Sequence, residues 1–395
     1  MRDAVVVRFP AVVAGGGVAG AAIATLLARA GRRVVLFERS AAAMDKICGE
    51  FLSGEACVHL AALGVDLAAL GAQPIGAVRL VRGARMIEVA LPFPAFGLSR
   101  RVLDEALLGH AAAAGAALYR GSAILHAGPA ENGDITLALA HGATCRAGTM
   151  FLATGKHDVR GMRRPAENRP DDLVGFKLHY LLAPAQHHAV RGHVEVVLFH
   201  DGYAGLQLVE GGRANLCLLV ARARLERTGG TWEALLADLR RSSPHLDARM
   251  DGAVPQFDRP LTISRVPFGF LHAAHVDDPA ALWRLGDQAA VIPSFTGDGM
   301  AIALHSAALA ARMFLTGQEA HAYHDRLRAD IAGPVRRASA LYRLGRWGPG
   351  QAGIMIAASL FPSGLRLAAA LTRVPEAAAA RLASGRLCDQ ATHSV

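Results

Sequence analysis

The glycine-rich stretch 11–20 constrains the fold of this chain more than any other feature. Val12 and Val13 precede three glycines at the G-x-G-x-x-G spacing, and an alanine-rich segment follows as far as Arg29. This order predicts a strand, a tight turn and a helix. The apolar run Val34–Glu38 predicts the next strand, and it ends in an acid about 20 residues after the turn.

These residue types have separate roles in a dinucleotide-binding unit. Gly15 permits the sharp turn, Gly17 lets a pyrophosphate approach the backbone, and Gly20 lets the helix pack closely on the sheet. The helix start at Val18 offers unpaired N–H groups and a positive dipole end to phosphates. Glu38 can accept hydrogen bonds from a ribose. The stretch is too rich in small residues to be a membrane segment, and it lacks the basic region of a signal peptide.

Charge and cysteine usage exclude other classes of protein. The chain has 395 residues and a formal net charge of +9, but no basic run interleaved with aromatic residues. Nucleic acid is therefore not an expected partner. The five cysteines are scattered, without a C-x-x-C pair, so we expect no disulfide framework, no metal site and a reducing cytoplasm. They are Cys48, Cys57, Cys145, Cys217 and Cys388.

Two later motifs have the composition of ligand-binding turns. One is a strand that ends in the small-residue turn Thr154-Gly155. The other, 286–300, begins with a strand end and Asp287, whose carboxylate can accept hydrogen bonds from a polyol chain. Its glycines allow backbone N–H groups to face a flat heterocycle at a helix N-terminus, which stabilises negative charge on that ring.

With three motifs in this order and spacing, the chain resembles the FAD-dependent oxidoreductase superfamily. That superfamily holds single-component aromatic monooxygenases, flavin-dependent halogenases and geranylgeranyl reductases. The resemblance covers residues 11–316 and implies a p-hydroxybenzoate-hydroxylase-like fold. It also implies that FAD is held by residues of all three motifs and by an arginine of a Ser-Arg-x-x-Leu-Asp pattern, namely Gly15, Gly17, Gly20, Glu38, Arg100, Thr154, Gly155, Gly286, Asp287, Pro293, Gly297, Gly299 and Met300.

The segment 46–53 looks most like the geranylgeranyl reductase branch, which places a Cys-Gly pair beside the flavin. By that likeness Cys48 and Gly49 lie at the cofactor, and Cys48 is a candidate catalytic residue. The alternative is that Cys48 is only a small buried apolar side chain. The chain departs from the branch at Glu50 and Phe51, where reductases usually continue with more glycine. This departure argues against an isoprenoid substrate.

The chain also departs from the other branches. Aromatic monooxygenases usually carry an Asp-Gly pair where this chain has Gly155-Lys156, and that pair helps both FAD and the reduced nicotinamide cofactor to bind. We still expect NAD(P)H as the reductant, although the substitution weakens that expectation. The Trp-x-Trp-x-Ile-Pro signature of the tryptophan halogenases is missing, so halogenation is less favoured than the other functions.

A strand at 175–180 holds further polar candidates. Period-two alternation places Lys177 and His179 on one face, opposite Phe176, Leu178 and Tyr180. His179 is a candidate base for a phenol-like substrate near neutral pH. The alternative is that it is an exposed strand residue.

The predicted fold is therefore α/β, with a Rossmann-like FAD-binding domain interleaved with an antiparallel β-sheet substrate domain and followed by a helical tail. Strands at 194–199, 203–210 and 215–220 predict the antiparallel part. The tail includes an apolar portion, 352–371, that Pro362 and Arg366 interrupt, so it is not a spanning helix. The predicted boundaries are 1–76, 95–164 and 267–319 for the FAD-binding domain, 77–94 and 165–266 for the substrate domain, and 320–395 for the tail.

The function predicted from this resemblance is that of an FAD-dependent monooxygenase. It would hydroxylate an aromatic or polyketide-like lipophilic small molecule through a flavin C4a-hydroperoxide. The first alternative is a flavoenzyme that reduces a C=C bond of a lipophilic substrate. A lesser alternative is a membrane-surface electron carrier, and peripheral contact with the inner face of a membrane stays open. The sequence leaves the redox partner unassigned.

Overall fold

The computed structural model describes residues 6–164 and 172–383; Cys388 and the domain boundary at residue 165 lie outside them. Within these ranges the strands are β1 (Val7–Phe9), β2 (Ala11–Ala14), β3 (Val34–Glu38), β4 (Phe51–Leu52), β5 (Gln73–Arg82), β6 (Arg85–Gly97), β7 (Ala117–Arg120), β8 (Ile124–Pro129), β9 (Ile135–Leu139), β10 (Thr144–Ala147), β11 (Met150–Leu152), β12 (Leu173–Leu181), β13 (Gly192–Phe199), β14 (Gly202–Leu208), β15 (Ala214–Ala221), β16 (Val254–Pro255), β17 (Leu261–Ser264) and β18 (Leu282–Arg284). The helices are α1 (Val18–Arg29), α2 (Gly54–Ala62), α3 (Arg100–Ala113), α4 (Pro184–Val190), α5 (Arg222–Arg227), α6 (Trp232–Ser242), α7 (Pro244–Met250), α8 (Gly299–Leu315), α9 (Ala320–Arg346), α10 (Gly348–Leu360), α11 (Pro362–Leu371) and α12 (Glu376–Ala383).

The glycine-rich stretch forms the centre of a parallel sheet, as predicted. The order is β18-β11-β2-β3-β7, and every neighbouring pair in it is parallel. Helix α1 begins directly after Gly17. A Cβ atom on Gly20 would lie 1.8 Å from the carbonyl oxygen of Gly15, so only glycine lets α1 approach the turn this closely. The sheet therefore brings the turn, β3 and α1 to one edge, where parallel strands end together.

A large mixed sheet forms the second layer. Its order is β16-β12-β15-β14-β13-β5-β6-β4, with β17 also paired to β12. The predicted meander β13-β14-β15 is antiparallel, which confirms that part of the fold. The neighbours β5 and β13 are parallel, so the hairpin β5-β6 extends the sheet from a distant part of the chain. Helices α6 and α7 cover one face of it, where Trp232 packs on Phe176.

A small sheet of order β1-β10-β9-β8 is separate in its hydrogen bonding but packs on the parallel sheet in one buried cluster. Strand β9 belongs to this small sheet, whereas β11 belongs to the parallel sheet. Burial alternates along β9, as in a sheet with one solvent-facing side, whereas β11 is buried at every position. Only β11 of these two strands therefore belongs to the parallel sheet.

The C-terminal helices pack across the large sheet and the parallel sheet. Met355 and Ala358 of α10 contact Leu80 of β5 in a buried cluster. In the described part of the chain, no one helix has the length and apolar content needed to cross a membrane. The pair α10 and α11, bent by 114°, meets that test only when both helices are taken together.

Because of His324 on α9, we expect the folded protein to lose stability in acid. Its Nε2 atom accepts a hydrogen bond from the backbone N–H of Arg284 at 3.0 Å. Burial, and to a smaller extent the nearby His272, lower the pKa of His324 to about 2. Because this folded-state pKa is below the unfolded value, the contribution of His324 to stability is present above pH 6.5 and lost as the pH falls. The loss is roughly 2 kcal/mol between pH 7.5 and pH 5.

Urea unfolding at several pH values measures this effect. His324→Gln keeps an acceptor but does not titrate, so we expect its free energy of unfolding to fall less steeply over the same range. Identical slopes for the two proteins would mean that the pKa of His324 is the same in the folded and unfolded states.

Candidate functional site

One cavity of about 890 Å³ collects most of the residues that the motifs predict at the cofactor. Thirteen of those fifteen residues line it, namely Gly15, Gly17, Glu38, Cys48, Gly49, Arg100, Thr154, Gly155, Gly286, Asp287, Gly297, Gly299 and Met300. The other two, Gly20 and Pro293, lie outside the lining. Gly20 acts through the packing of α1, and Pro293 precedes the 3₁₀ turn that leads to Gly297.

The N-terminus of α1 faces two cations. A Cβ atom on Gly17 would lie 3.2 Å from a guanidinium nitrogen of Arg100 and 3.8 Å from the ammonium of Lys46. Both cations are held by Asp104, at 2.8 Å in each case. Burial opposes the charge of Arg100, but Asp104 outweighs burial and raises the pKa of Arg100 above its ordinary value. Two fixed cations, a bare backbone and a helix dipole fit a pyrophosphate.

Glu38 closes the turn from the other side. One carboxylate oxygen accepts a hydrogen bond from the N–H of Gly16 at 2.6 Å, and the other accepts one from Ser40 at 2.9 Å. Burial raises the pKa of this acid, but Lys46 and the two amides outweigh it and hold the pKa below its ordinary value. The carboxylate is therefore ionised, and it has acceptor capacity left for a ribose hydroxyl.

The second and third motifs meet through a buried amide. Gln288 donates hydrogen bonds to the carbonyl oxygens of Gly155 at 2.7 Å and of His157 at 3.1 Å. Arg164 donates a hydrogen bond to the backbone carbonyl oxygen of Asp287 at 2.9 Å. Asp287 is half-buried and lines the cavity. These contacts place the two turns side by side at the carboxyl ends of β11 and β18.

The loop before α8 is shaped around an aromatic ring. Gly297 has a φ of +69°, which favours glycine, and a Cβ atom there would lie 2.5 Å from the ring of Phe51. Phe51 therefore packs against this loop and lines the same cavity. The bulky residue that departs from the reductase pattern thus takes space beside the predicted flavin loop.

A buried ion network holds the loop 46–50. Glu50 has a φ of +60°, a conformation that usually requires glycine, and its side chain is fully buried. Its carboxylate pairs with the Lys177 ammonium, lies 2.7 Å from His179 Nε2 and accepts the backbone N–H of Arg100 at 2.8 Å. Burial raises the pKa of Glu50, but Lys177 and His179 outweigh it, so the pKa lies below its ordinary value. Glu50 thus has a glycine-like backbone conformation, and the buried ion network holds its side chain in place.

The backbone of this loop is held by side chains of the large sheet. Asn215 donates to the carbonyl oxygens of Cys48 at 3.0 Å and of Gly49 at 2.9 Å. Gln207 donates to the carbonyl oxygen of Glu50 at 2.8 Å, and Lys177 donates to that of Lys46 at 3.0 Å. The second layer therefore fixes the loop that the first layer presents to the cavity.

His179 lies behind this loop. It is fully buried, it is not among the residues that line the cavity, and its ring centre lies 5.4 Å from that of Phe257 in a tilted arrangement. Its Nδ1 atom lies 3.8 Å from Asp45, and ligand atoms of Asp45, Glu50 and His179 lie within 4.8 Å of one another. The Lys177 ammonium, which pairs with Glu50, supplies positive charge beside these two carboxylates. A catalytic role for His179 stays a prediction, whereas its contact with Glu50 supports positioning of the loop.

Cys48 lines the cavity and is partly buried. Its sulfur accepts a hydrogen bond from the backbone N–H of Glu50 at 3.3 Å. The thiol therefore helps to hold the turn at Glu50, and a hydroxyl group at the same position can accept that bond.

Substrate-sheet and tail residues form an apolar part of the cavity. Tyr203 is hydrogen-bonded to Ser294, and its ring meets Phe295 edge-on at 6.2 Å between centroids. Burial raises the pKa of Tyr203 well above its ordinary value, so its hydroxyl is neutral. Further lining residues, all apolar, are Val78, Leu80, Leu91, Val196, Leu198, Ile263, Ile354 and Leu365.

A clamp ties the tail to the loop before α8. Arg373, which follows α11, lies 3.3 Å from the buried carboxylate of Asp298, and the N–H of Val374 donates to the same carboxylate at 2.8 Å. The Arg373 guanidinium also lies 3.9 Å from the ring centre of Phe93. Burial raises the pKa of Asp298 to about 7, although Arg373 opposes that shift. The tail helices are thereby held over the cavity.

Sequence reasoning missed the roles of Glu50, Lys177 and Arg373. One usable signal was present, because the chain has 42 lysines and arginines but only three lysines. All three act on the same loop: Lys46 belongs to it, Lys177 contacts it, and Lys156 donates to the carbonyl oxygen of Ile47 at 3.3 Å. The arginine clamp has no comparable signal, because Arg373 is one of many arginines.

Comparisons with known proteins agree with this architecture. A scan against known protein families finds no match. A menaquinone reductase from Mycolicibacterium smegmatis is 25% identical over 334 residues, which are 78% of this chain and 77% of that protein. Among solved structures, the flavin-dependent brominase Bmp2 has a TM-score of 0.72 and 16% identity over 92% of this chain and 93% of its own.

Two further structures have the same fold. The halogenase PltM, solved in complex with phloroglucinol and FAD, has a TM-score of 0.71 and 14% identity over 86% of this chain and 76% of its own. A variant of PqsL from P. aeruginosa has a TM-score of 0.69 and 19% identity over 88% of this chain and 99% of its own. The chain therefore has the same fold as the flavin-dependent brominase and the FAD-bound halogenase, as its three motifs predict.

Proposed function

We propose that this protein is an FAD-dependent monooxygenase that hydroxylates an aromatic or polyketide-like lipophilic small molecule. The observation that carries the proposal is the continuity of the cavity. The same space is lined by the cationic turn at Gly17, by the glycine loop at Gly297 and by apolar side chains of the large sheet and the tail. This lining supports a site in which a dinucleotide and an apolar substrate bind side by side.

Different residues of the chain would bind different parts of FAD. Gly17, Arg100 and Lys46 bind the pyrophosphate, Glu38 the ribose and Asp287 the ribitol. When bound and reduced by a donor such as NAD(P)H, the flavin would supply two electrons to dioxygen, so that one oxygen atom enters the substrate and the other leaves with two protons as water. The hydroxyls of Tyr203 and Ser294 are polar groups of the lining that can orient a substrate hydroxyl. The apolar lining excludes water from the reacting atoms.

Turnover with and without dioxygen tests this proposal. The FAD-loaded protein would be reduced chemically and incubated with long-chain alkylphenols in air and under argon. We expect a hydroxylated product in air and none under argon. Equal product under both conditions would contradict an oxygenase.

A second function has support from one relative, the menaquinone reductase. The similarity to that protein covers most of both chains. Cys48 lines the cavity at the position where the reductase branch places its Cys-Gly pair. In this alternative the protein saturates an activated C=C bond of a lipophilic substrate, and product forms without dioxygen. The neighbour PltM, whose structure holds a phenol together with FAD, favours the oxygenase instead.

Cys48→Ser separates the two functions. Serine can accept the hydrogen bond from Glu50, so in the oxygenase we expect FAD to remain bound and turnover to change by less than about threefold. In the reductase the thiol acts on substrate at the ring, and turnover would fall steeply because a serine hydroxyl is a far weaker acid than a thiol. Steady-state turnover at matched FAD occupancy measures the difference.

Cys57→Ser is the matched control, because Cys57 is half-buried on α2 and does not line the cavity. A loss of turnover in Cys48→Ser that Cys57→Ser does not share would favour the reductase.

A further inference from the structure

The outer side of the tail carries a cluster of exposed apolar side chains. They lie on or beside α10 and α11 and are between 44% and 67% exposed, and we call them the C-terminal apolar face: Trp347, Ile356, Leu360, Phe361, Leu367 and Leu371. Exposed apolar residues elsewhere in the described chain are scattered over several elements. Ile356 and Leu360 on α10, like Leu367 and Leu371 on α11, are four residues apart, so each pair lies on one face of its helix. Exposed apolar faces of this kind mark interaction surfaces.

The charged residues of the segment that carries this face are all basic. Residues 331–375 contain six arginines and no aspartate or glutamate. Four of these arginines are exposed: Arg336, Arg337, Arg343 and Arg366. Apolar and aromatic side chains surrounded by arginines are typical of segments that lie in the interface of an anionic membrane. A second copy of the chain would bring like charges together, which disfavours a dimer at this face.

The same two helices also line the cavity. Ile354 of α10 and Leu365 of α11 face it, while Leu360 and Phe361 at the bend between the helices point to solvent. The helices are anchored at both ends. Gln351 donates to the carbonyl oxygen of Phe199 at 2.8 Å, and Arg373 binds Asp298. The same anchored helices therefore line the cavity with some side chains and expose others to solvent.

We propose that the C-terminal apolar face docks the protein on an anionic phospholipid surface. The bend at Phe361 enters the acyl boundary, the exposed arginines contact the lipid phosphates, and α10 and α11 lie in the plane of the interface. A lipophilic substrate dissolved in the bilayer then has a short path between these helices and β5 into the cavity. The docking itself is independent of the reaction that the cavity catalyses.

Vesicle flotation of the full FAD-loaded chain tests this proposal. The probes are vesicles of phosphatidylcholine alone and of phosphatidylcholine with phosphatidylglycerol, at low and high salt. We expect binding to the anionic vesicles that weakens with salt and little binding to the neutral ones. The double variant Leu360→Glu/Phe361→Glu should reduce binding at least tenfold, and Arg343→Glu and Arg366→Glu roughly fivefold each or more.

The control is Val276→Glu, which introduces a glutamate at a side chain that is 92% exposed and lies outside the face. It should bind vesicles as the wild type does. FAD content and turnover of a water-soluble substrate should be unchanged in all these variants, which separates docking from catalysis. Absence of binding to anionic vesicles, or equal binding by Leu360→Glu/Phe361→Glu, would overturn the proposal. A concentration-dependent dimer that the same variant abolishes would overturn it in favour of a second copy.

Discussion

Replacement of Lys177 by methionine is expected to lower the free energy of unfolding by about 3–5 kcal/mol. The Lys177 ammonium is fully buried and pairs with the equally buried carboxylate of Glu50. Without it, Glu50 stays ionised without its main partner or takes up a proton, and both outcomes cost free energy in the interior. The loop also loses the contact between Lys177 and the carbonyl oxygen of Lys46. Urea unfolding of the FAD-loaded protein measures the change.

The control is the double variant Lys177→Met/Glu50→Gln. It removes both charges, so we expect it to recover much of the lost stability, because a neutral buried pair needs no counter-charge. A single variant as stable as the wild type would show that Glu50 is not held as an ion. A double variant no better than the single one would assign the loss to packing.

The second large effect is expected for Gly17→Val. The added side chain would occupy the space between the start of α1 and the cations of Arg100 and Lys46, where the pyrophosphate is proposed to bind. We expect FAD affinity to fall at least roughly a hundredfold, which is about 2.7 kcal/mol. The purified variant should be colourless, and titration with FAD measures its affinity.

Gly109→Val is the control for this substitution. Gly109 is exposed on α3, and a Cβ atom there meets no atom within 4 Å. This variant should bind FAD as the wild type does. A yellow Gly17→Val protein with normal occupancy would place the pyrophosphate elsewhere.

The first layer of the fold was predictable because its residues act locally. The bounds of α1 and β3 follow from glycine spacing and apolar runs, and the caps Ser53 and Ser99 mark the starts of α2 and α3. Such signals depend on neighbours a few residues away. By contrast, the local pattern of the strand at Ile135 does not encode which sheet that strand joins.

The network behind the cavity was not predictable, since its partners are far apart in sequence. Glu50 and Lys177 are 127 residues apart, and Asp298 and Arg373 are 75 residues apart. Glu50 was noted only as a departure from a glycine pattern. The structure gives the physical reason for that departure, because the backbone keeps the glycine-like φ and the buried network holds the acid there. Period two placed Lys177 and His179 on one face correctly, but it could not indicate what that face meets.

The most direct test of the central claim is the fate of labelled dioxygen. Reduced, FAD-loaded protein would be mixed with ¹⁸O₂ and a panel of long-chain alkylphenols and menaquinone, and the products would be analysed by mass spectrometry. The proposed monooxygenase predicts a phenol product that carries one ¹⁸O atom. A product with two added hydrogen atoms and no ¹⁸O would contradict it and identify a reductase.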